Sequence, residues 1–98
     1  MCTALGFKTD YGCFFWRNMD LSYSFNQSPI FLNKGFSYLN PVMNEMNVLN
    51  RSIIGMGTVI DGHPALAEGM NCDGLGCAGL NFSRYACYEQ KAVDGKIN

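Results

Sequence analysis

Charge is scarce in this chain. Lysine and arginine number 7 and aspartate and glutamate 8, so 15% of the 98 residues are charged, where a soluble domain carries roughly 25%. The net charge of −1 leaves no basic footprint for nucleic acid. A surface so poor in charge is expected to adhere to something: the rest of a larger fold, a partner or a second copy. Long apolar runs are missing as well; none approaches the roughly 18–20 residues of a membrane span. The N-terminus shows neither the basic start nor the apolar core of a signal peptide, so the cytoplasm is the expected compartment and no membrane partner is expected. Histidine occurs once. His63 precedes Pro64 in what reads as an exposed turn, with no serine or aspartate spaced for a triad. Gly55-Met56-Gly57 and Gly74-Leu75-Gly76 lack a phosphate-loop lysine and a dinucleotide fingerprint, so no cofactor is expected. No stretch carries a convincing helical stripe.

Cysteine is not scarce. Five occur, at 2, 13, 72, 77 and 87, and an odd number in a cytoplasmic chain reads as reduced thiols. Cys72 and Cys77 are too far apart for a zinc knuckle, and Cys87 and His63 add no recognised spacing, so no metal site is expected. Cys13, Cys72, Cys77 and Cys87 read as small core hydrophobes. Cys2 is different. Removing Met1 would place an α-amine, pKa about 7.7–8.0, and a thiol, pKa about 8.5, on one residue. One residue then supplies nucleophile and base, which is the logic of N-terminal nucleophile catalysis.

The length suits one small domain. Residues 2–8 read as a strand, Thr9-Asp10-Tyr11-Gly12 as a turn, and Cys13-Phe14-Phe15-Trp16 as a strand buried on both faces. This hairpin would return Arg17-Asn18-Met19-Asp20 beside Cys2. Arg17 can then stabilise a thiolate and Asp20 can hold the α-amine; a surface ion pair at a strand end is the alternative. Pro29–Leu32 and Phe36–Leu39 read as a second strand pair about Asn33-Lys34-Gly35, and residues 40–51 as a connecting loop. Residues 52–60 read as a strand whose small residues admit a close neighbour. Asp61–Pro64 is a turn. Two apolar segments, 65–70 and 75–80, hinge at Asn71–Gly74, where Asp73-Gly74 signals a hairpin. Residues 83–98 are more polar, with a turn at Asp94-Gly95. An all-β chain with so many edges reads as part of something larger.

Five ordered motifs carry a resemblance: Met1-Cys2-Thr3, Arg17-Asn18-Met19-Asp20, Gly55-Met56-Gly57-Thr58, Glu68-Gly69-Met70-Asn71, and the run from Gly74 to Phe82. Together they resemble the start of the conjugated bile acid hydrolases, or choloylglycine hydrolases, relatives of penicillin V acylase. The resemblance implies an α+β fold, an N-terminal nucleophile αββα sandwich, of which residues 1–98 would supply mainly strands as one incomplete domain. It implies a cytoplasmic, usually tetrameric enzyme that cleaves the amide joining a bile acid to glycine or taurine. Cys2 would be the nucleophile, Arg17 and Asp20 its electrostatic support and Asn81 an oxyanion-hole donor. Met19, Phe25 and Ile60 fall where the family lines its steroid pocket; plain core packing is the alternative. Penicillin V acylase is the alternative enzyme, which Asn81 disfavours because those relatives tend to carry tyrosine there. A non-catalytic truncated remnant is the alternative from another class.

Two departures are visible. The stretch from Gly12 to Arg17 is one residue shorter than the family's, and Trp16 stands where glycine is expected. A one-residue slip would turn Arg17 away from Cys2 unless the turn moves or a bulge absorbs it. Family members also run to roughly three times this length, beyond one small domain. A second oxyanion asparagine, a second arginine and the helical layers are expected downstream.

Overall fold

A computed structural model describes residues 2–24, 26–40, 42–80 and 85. Eight strands form among them, and no helix: β1 (Thr3–Thr9), β2 (Gly12–Asn18), β3 (Ser28–Leu32), β4 (Ser37–Asn40), β5 (Glu45–Val48), β6 (Ile53–Ile60), β7 (His63–Asn71) and β8 (Gly76–Ala78). They make a two-stranded sheet β1-β2, a four-stranded sheet β3-β6-β7-β8 and a second two-stranded sheet β4-β5, all antiparallel.

The first hairpin forms where expected. Thr9 pairs with Gly12 around Asp10-Tyr11, and the register runs without interruption to Thr3 opposite Asn18. Gly12 takes φ +143°, which only glycine adopts freely. No bulge is needed: the turn fixes a regular ladder that aims Arg17 inward, where its side chain is only 5% exposed. The expectation that residues 13–16 are covered on both faces fails. Phe14 and Trp16 remain 47% and 53% exposed, because only the Phe15 face of β2 has a neighbour. That neighbour is Gly76 of β8. A Cβ there would lie 3.0 Å from the Phe15 ring, so glycine lets the hairpin settle onto the larger sheet.

In the larger sheet, Asp61 and Gly62 both take positive φ, the two-residue hairpin loop that links β6 to β7. The turn is therefore shorter than expected, and His63 and Pro64 already belong to β7. His63 is half-buried and stands edge-on to Tyr38, with ring centroids 6.2 Å apart, rather than exposed in a turn. The β7–β8 turn is held by Asn71, whose Oδ1 accepts from the Asp73 and Leu75 amides at 3.0 and 2.9 Å.

Two further expectations are corrected. β3 pairs with β6, not with β4. The turn at Asn33 exists, with the Phe36 amide donating to the Asn33 carbonyl, but the chain beyond it pairs with β5 instead. β5 lies inside the stretch expected to be a loop. Asn40 makes it possible: its Oδ1 accepts from the Val42 and Met43 amides and reverses the chain. Local pattern shows that strands exist, but not which distant edge each one finds.

Among the described residues no apolar side chain is fully buried. Cys13, Cys72 and Cys77 are exposed thiols rather than core hydrophobes, since each lies at a turn or on a face with no covering layer.

Candidate active site

The hairpin brings its two ends together. The Thr3 amide donates to Asn18 Oδ1 at 2.9 Å, which locks the start of β1 against the end of β2. Cys2, one residue before, therefore faces the segment that follows Asn18. Cys2, Arg17, Met19, Leu21, Tyr23, Gly79 and Leu80 line a concavity of about 270 Å³. Cys2 is half-buried in it.

Arg17 is the organising cation. Its Nη1 donates to Glu68 Oε2 at 2.6 Å and its Nη2 to the Gly79 carbonyl at 2.9 Å. Its Nε is buried and meets no hydrogen-bond partner among the described residues. Glu68 had no role in the sequence reading beyond its place in a motif. It lies 51 residues from Arg17, and no local rule joins the two.

A β-bulge positions Glu68. Met56 pairs with Glu68 and Gly57 with Leu66, which leaves Ala67 as the extra residue of β7. Residues two apart normally share a face; the bulge puts Leu66 and Glu68 on opposite faces. Glu68 then points to the hairpin. Ala67 accepts from the Gly79 amide at 2.9 Å, so the Gly79 segment is held by the bulge on one side and by Arg17 on the other.

Asp20 is exposed. Its carboxyl is held below the ordinary carboxylate range, first by a hydrogen bond from the N-terminal ammonium and then by that group's charge. Ile60 ends β6, 59% exposed, and does not line the Cys2 concavity. Met19 does line it. Phe25, Asn81 and Cys87 lie outside the described residues. Another concavity, about 300 Å³, is lined by Ile53, Leu66, Glu68, Asn71 and Cys77 among others. Its one acid, Glu68, is engaged by Arg17, so it lacks the thiol–cation pairing of the first.

A half-buried thiol and a buried guanidinium thus share one concavity at the end of the first hairpin. Residues 2–98 match the model of the linear amide C–N hydrolases, choloylglycine hydrolase family. The chain belongs to that family. It is 46% identical over 99 aligned positions to the bile salt hydrolase/transferase of Clostridium perfringens, covering all of this chain and 30% of that protein. It is 36% identical to the conjugated bile acid hydrolase of Lactobacillus gasseri, again across the whole chain and 31% of the relative. The crystal structure of a cysteine-to-alanine mutant of the Clostridium perfringens conjugated bile acid hydrolase superposes with a TM-score of 0.85 at 44% identity, over 98% of this chain and 30% of that one. The chain thus spans about 30% of the length of these relatives. The alignment with the Clostridium perfringens enzyme is one position longer than the chain, so at least one residue of the relative has no counterpart here.

Proposed function

We propose that this chain is the N-terminal part of an enzyme that hydrolyses the amide of glycine- or taurine-conjugated bile acids, with Cys2 as nucleophile once Met1 is removed. The observation that carries the reading is the concavity that Cys2 shares with the buried Arg17 guanidinium. The names of the relatives supply the substrate class. The Cys2 thiolate attacks the amide carbon. The tetrahedral oxyanion collapses, the C–N bond breaks, and the α-ammonium gives its proton to the leaving amine. Water then attacks the thioester, returns a proton to the α-amine and releases the bile acid. An amine in place of water would give acyl transfer, which fits the word transferase in a relative's name. Arg17 favours the thiolate, Asp20 orients the amine, and Asn81 supplies one oxyanion donor. Met19 contributes to the apolar wall, and Phe25 is assigned to that wall by resemblance alone.

These sheets are read as part of the inner layers of an αββα sandwich. The exposed outer sides of Phe14, Trp16 and Phe31 support this, since each offers apolar surface to a covering layer.

The test uses the complete enzyme that carries this segment. Glycine release from glycocholate should be lost in Cys2→Ala, and wild type should cleave glycocholate much faster than penicillin V. The reverse preference would make it a penicillin acylase, and activity surviving in Cys2→Ala would refute the mechanism.

A further inference from the structure

We propose that Glu68 is a positioning residue for Cys2: it holds the Arg17 guanidinium against the nucleophile hairpin and offsets its charge. This rests on the reading of Cys2 as the nucleophile. Three observations support it. Arg17 and Glu68 side chains are 5% and 19% exposed, so their 2.6 Å contact is largely shielded from water. The same guanidinium holds the Gly79 carbonyl, two residues before Asn81. Finally, the sheet is built to present Glu68. The bulge at Ala67 turns it to the hairpin face, and Gly55 leaves the space for β6 to close on it, because a Cβ at 55 would strike the Glu68 carbonyl.

Glu68 thus joins the strand bearing Arg17, the sheet, and the segment leading to the oxyanion asparagine. It does not line the Cys2 concavity and acts through Arg17. The other titratable groups of this region are the α-amine of Cys2 itself once Met1 is removed, Tyr23 of the same concavity, and Asp20 three residues before Tyr23. None of them is engaged by Glu68 in any contact the structure shows.

The two functions of Glu68 separate by substitution. Glu68→Gln keeps an acceptor for Arg17 Nη1 but removes the negative charge. Arg17 then acts on Cys2 without an offset, and the pH midpoint of Cys2 alkylation should fall. Glu68→Ala removes the anchor, the guanidinium withdraws, and the midpoint should rise, as it should in Arg17→Leu. Turnover in Glu68→Ala should drop about 10- to 100-fold with KM changed less, as displacement of a preorganised group does. In an Arg17→Leu background, Glu68→Ala should cost about twofold or less, because coupled residues are non-additive.

The experiment is iodoacetamide labelling of Cys2 against pH, read by mass spectrometry, with glycocholate kinetics, on the complete enzyme and these four variants. Opposite midpoint shifts in Glu68→Gln and Glu68→Ala, with a non-additive double variant, support the proposal. Unmoved midpoints, shifts of one sign, or additive losses overturn it. If Glu68→Ala does not fold, Glu68→Gln alone decides, since an unchanged midpoint there removes the electrostatic role. Labelling needs no bile acid, so a failed substrate assignment shows up separately, as midpoints that shift in an enzyme inactive on glycocholate.

Discussion

Cys2 differs from the other described cysteines in its surroundings as well as in its exposure. Cys13, Cys72 and Cys77 are more exposed than Cys2, yet none lines a concavity with a buried cation. Alkylation rates should therefore separate by thiolate fraction rather than by access. At neutral pH, Cys2 should react fastest of the four. Equal rates in a timed mass-spectrometric assay would remove the case for a perturbed Cys2. The mechanism also requires processing: active protein made in cells should lack Met1 by intact mass, and active protein that retains it would sink the proposal. Asp20 gives a pH prediction. Its carboxyl is depressed in the folded chain, so its contribution to stability is present above the unfolded value, about 3.9, and is lost as pH falls through the lower folded value. Asp20→Asn should flatten that part of an acid titration of stability. An unchanged acid limb in the variant would show that the ammonium contact does not matter to folding.

At the scale of the element, the strand β7 and its bulge decide the geometry of the site. Glycine permits it at two places with different strictness. A Cβ at Gly55 would collide with the Glu68 backbone carbonyl, and backbone on both sides leaves no flexible atom to yield. Gly55→Ala should cost about 1–3 kcal/mol, as overpacking does, and should loosen Glu68 from Arg17. Gly79→Ala is the matched control. Its Cβ would meet only the Ala67 carbonyl at an ordinary 3.5 Å, and its φ is not positive, so it should fall within about 0.5 kcal/mol of wild type, as surface changes usually do. Thermal unfolding of both variants checks the contrast; equal losses would mean that the close approach of β6 and β7 is not what Gly55 provides.

For the whole molecule, the controlling fact is the uncovered apolar surface. Trp16, Phe31, Met46, Val48 and Leu75 are each more than half exposed. Several sit on strands whose outer edges present unpaired backbone groups. The 98-residue chain produced alone should self-associate and should not hydrolyse glycocholate. Size-exclusion chromatography with an assay on each fraction tests both, and a sharp monomer peak releasing glycine would refute the expectation. Breaking the Arg17–Glu68 pair in the complete enzyme should cost stability as well, toward the lower end of about 3–5 kcal/mol because Glu68 retains some solvent contact.

The local sequence determined the first hairpin, its turn at Thr9–Gly12, the return of Arg17 and Met19 to Cys2, and the strand character of residues 53–60. Turn residues and side-chain alternation act over a few positions, so they can be read along the chain. The five motifs, in order, also carried the family. Tertiary structure alone decided the partner of β3, the strand hidden in residues 45–48, the exposure of Cys13, Cys72 and Cys77, and the packing of His63 on Tyr38. It also decided the pairing of Arg17 with Glu68. That contact depends on one extra residue in β7, which reverses which face each later side chain occupies. Nothing within a few residues of Glu68 announces the reversal, because a bulge is fixed by the strand lying opposite and not by the strand that bears it.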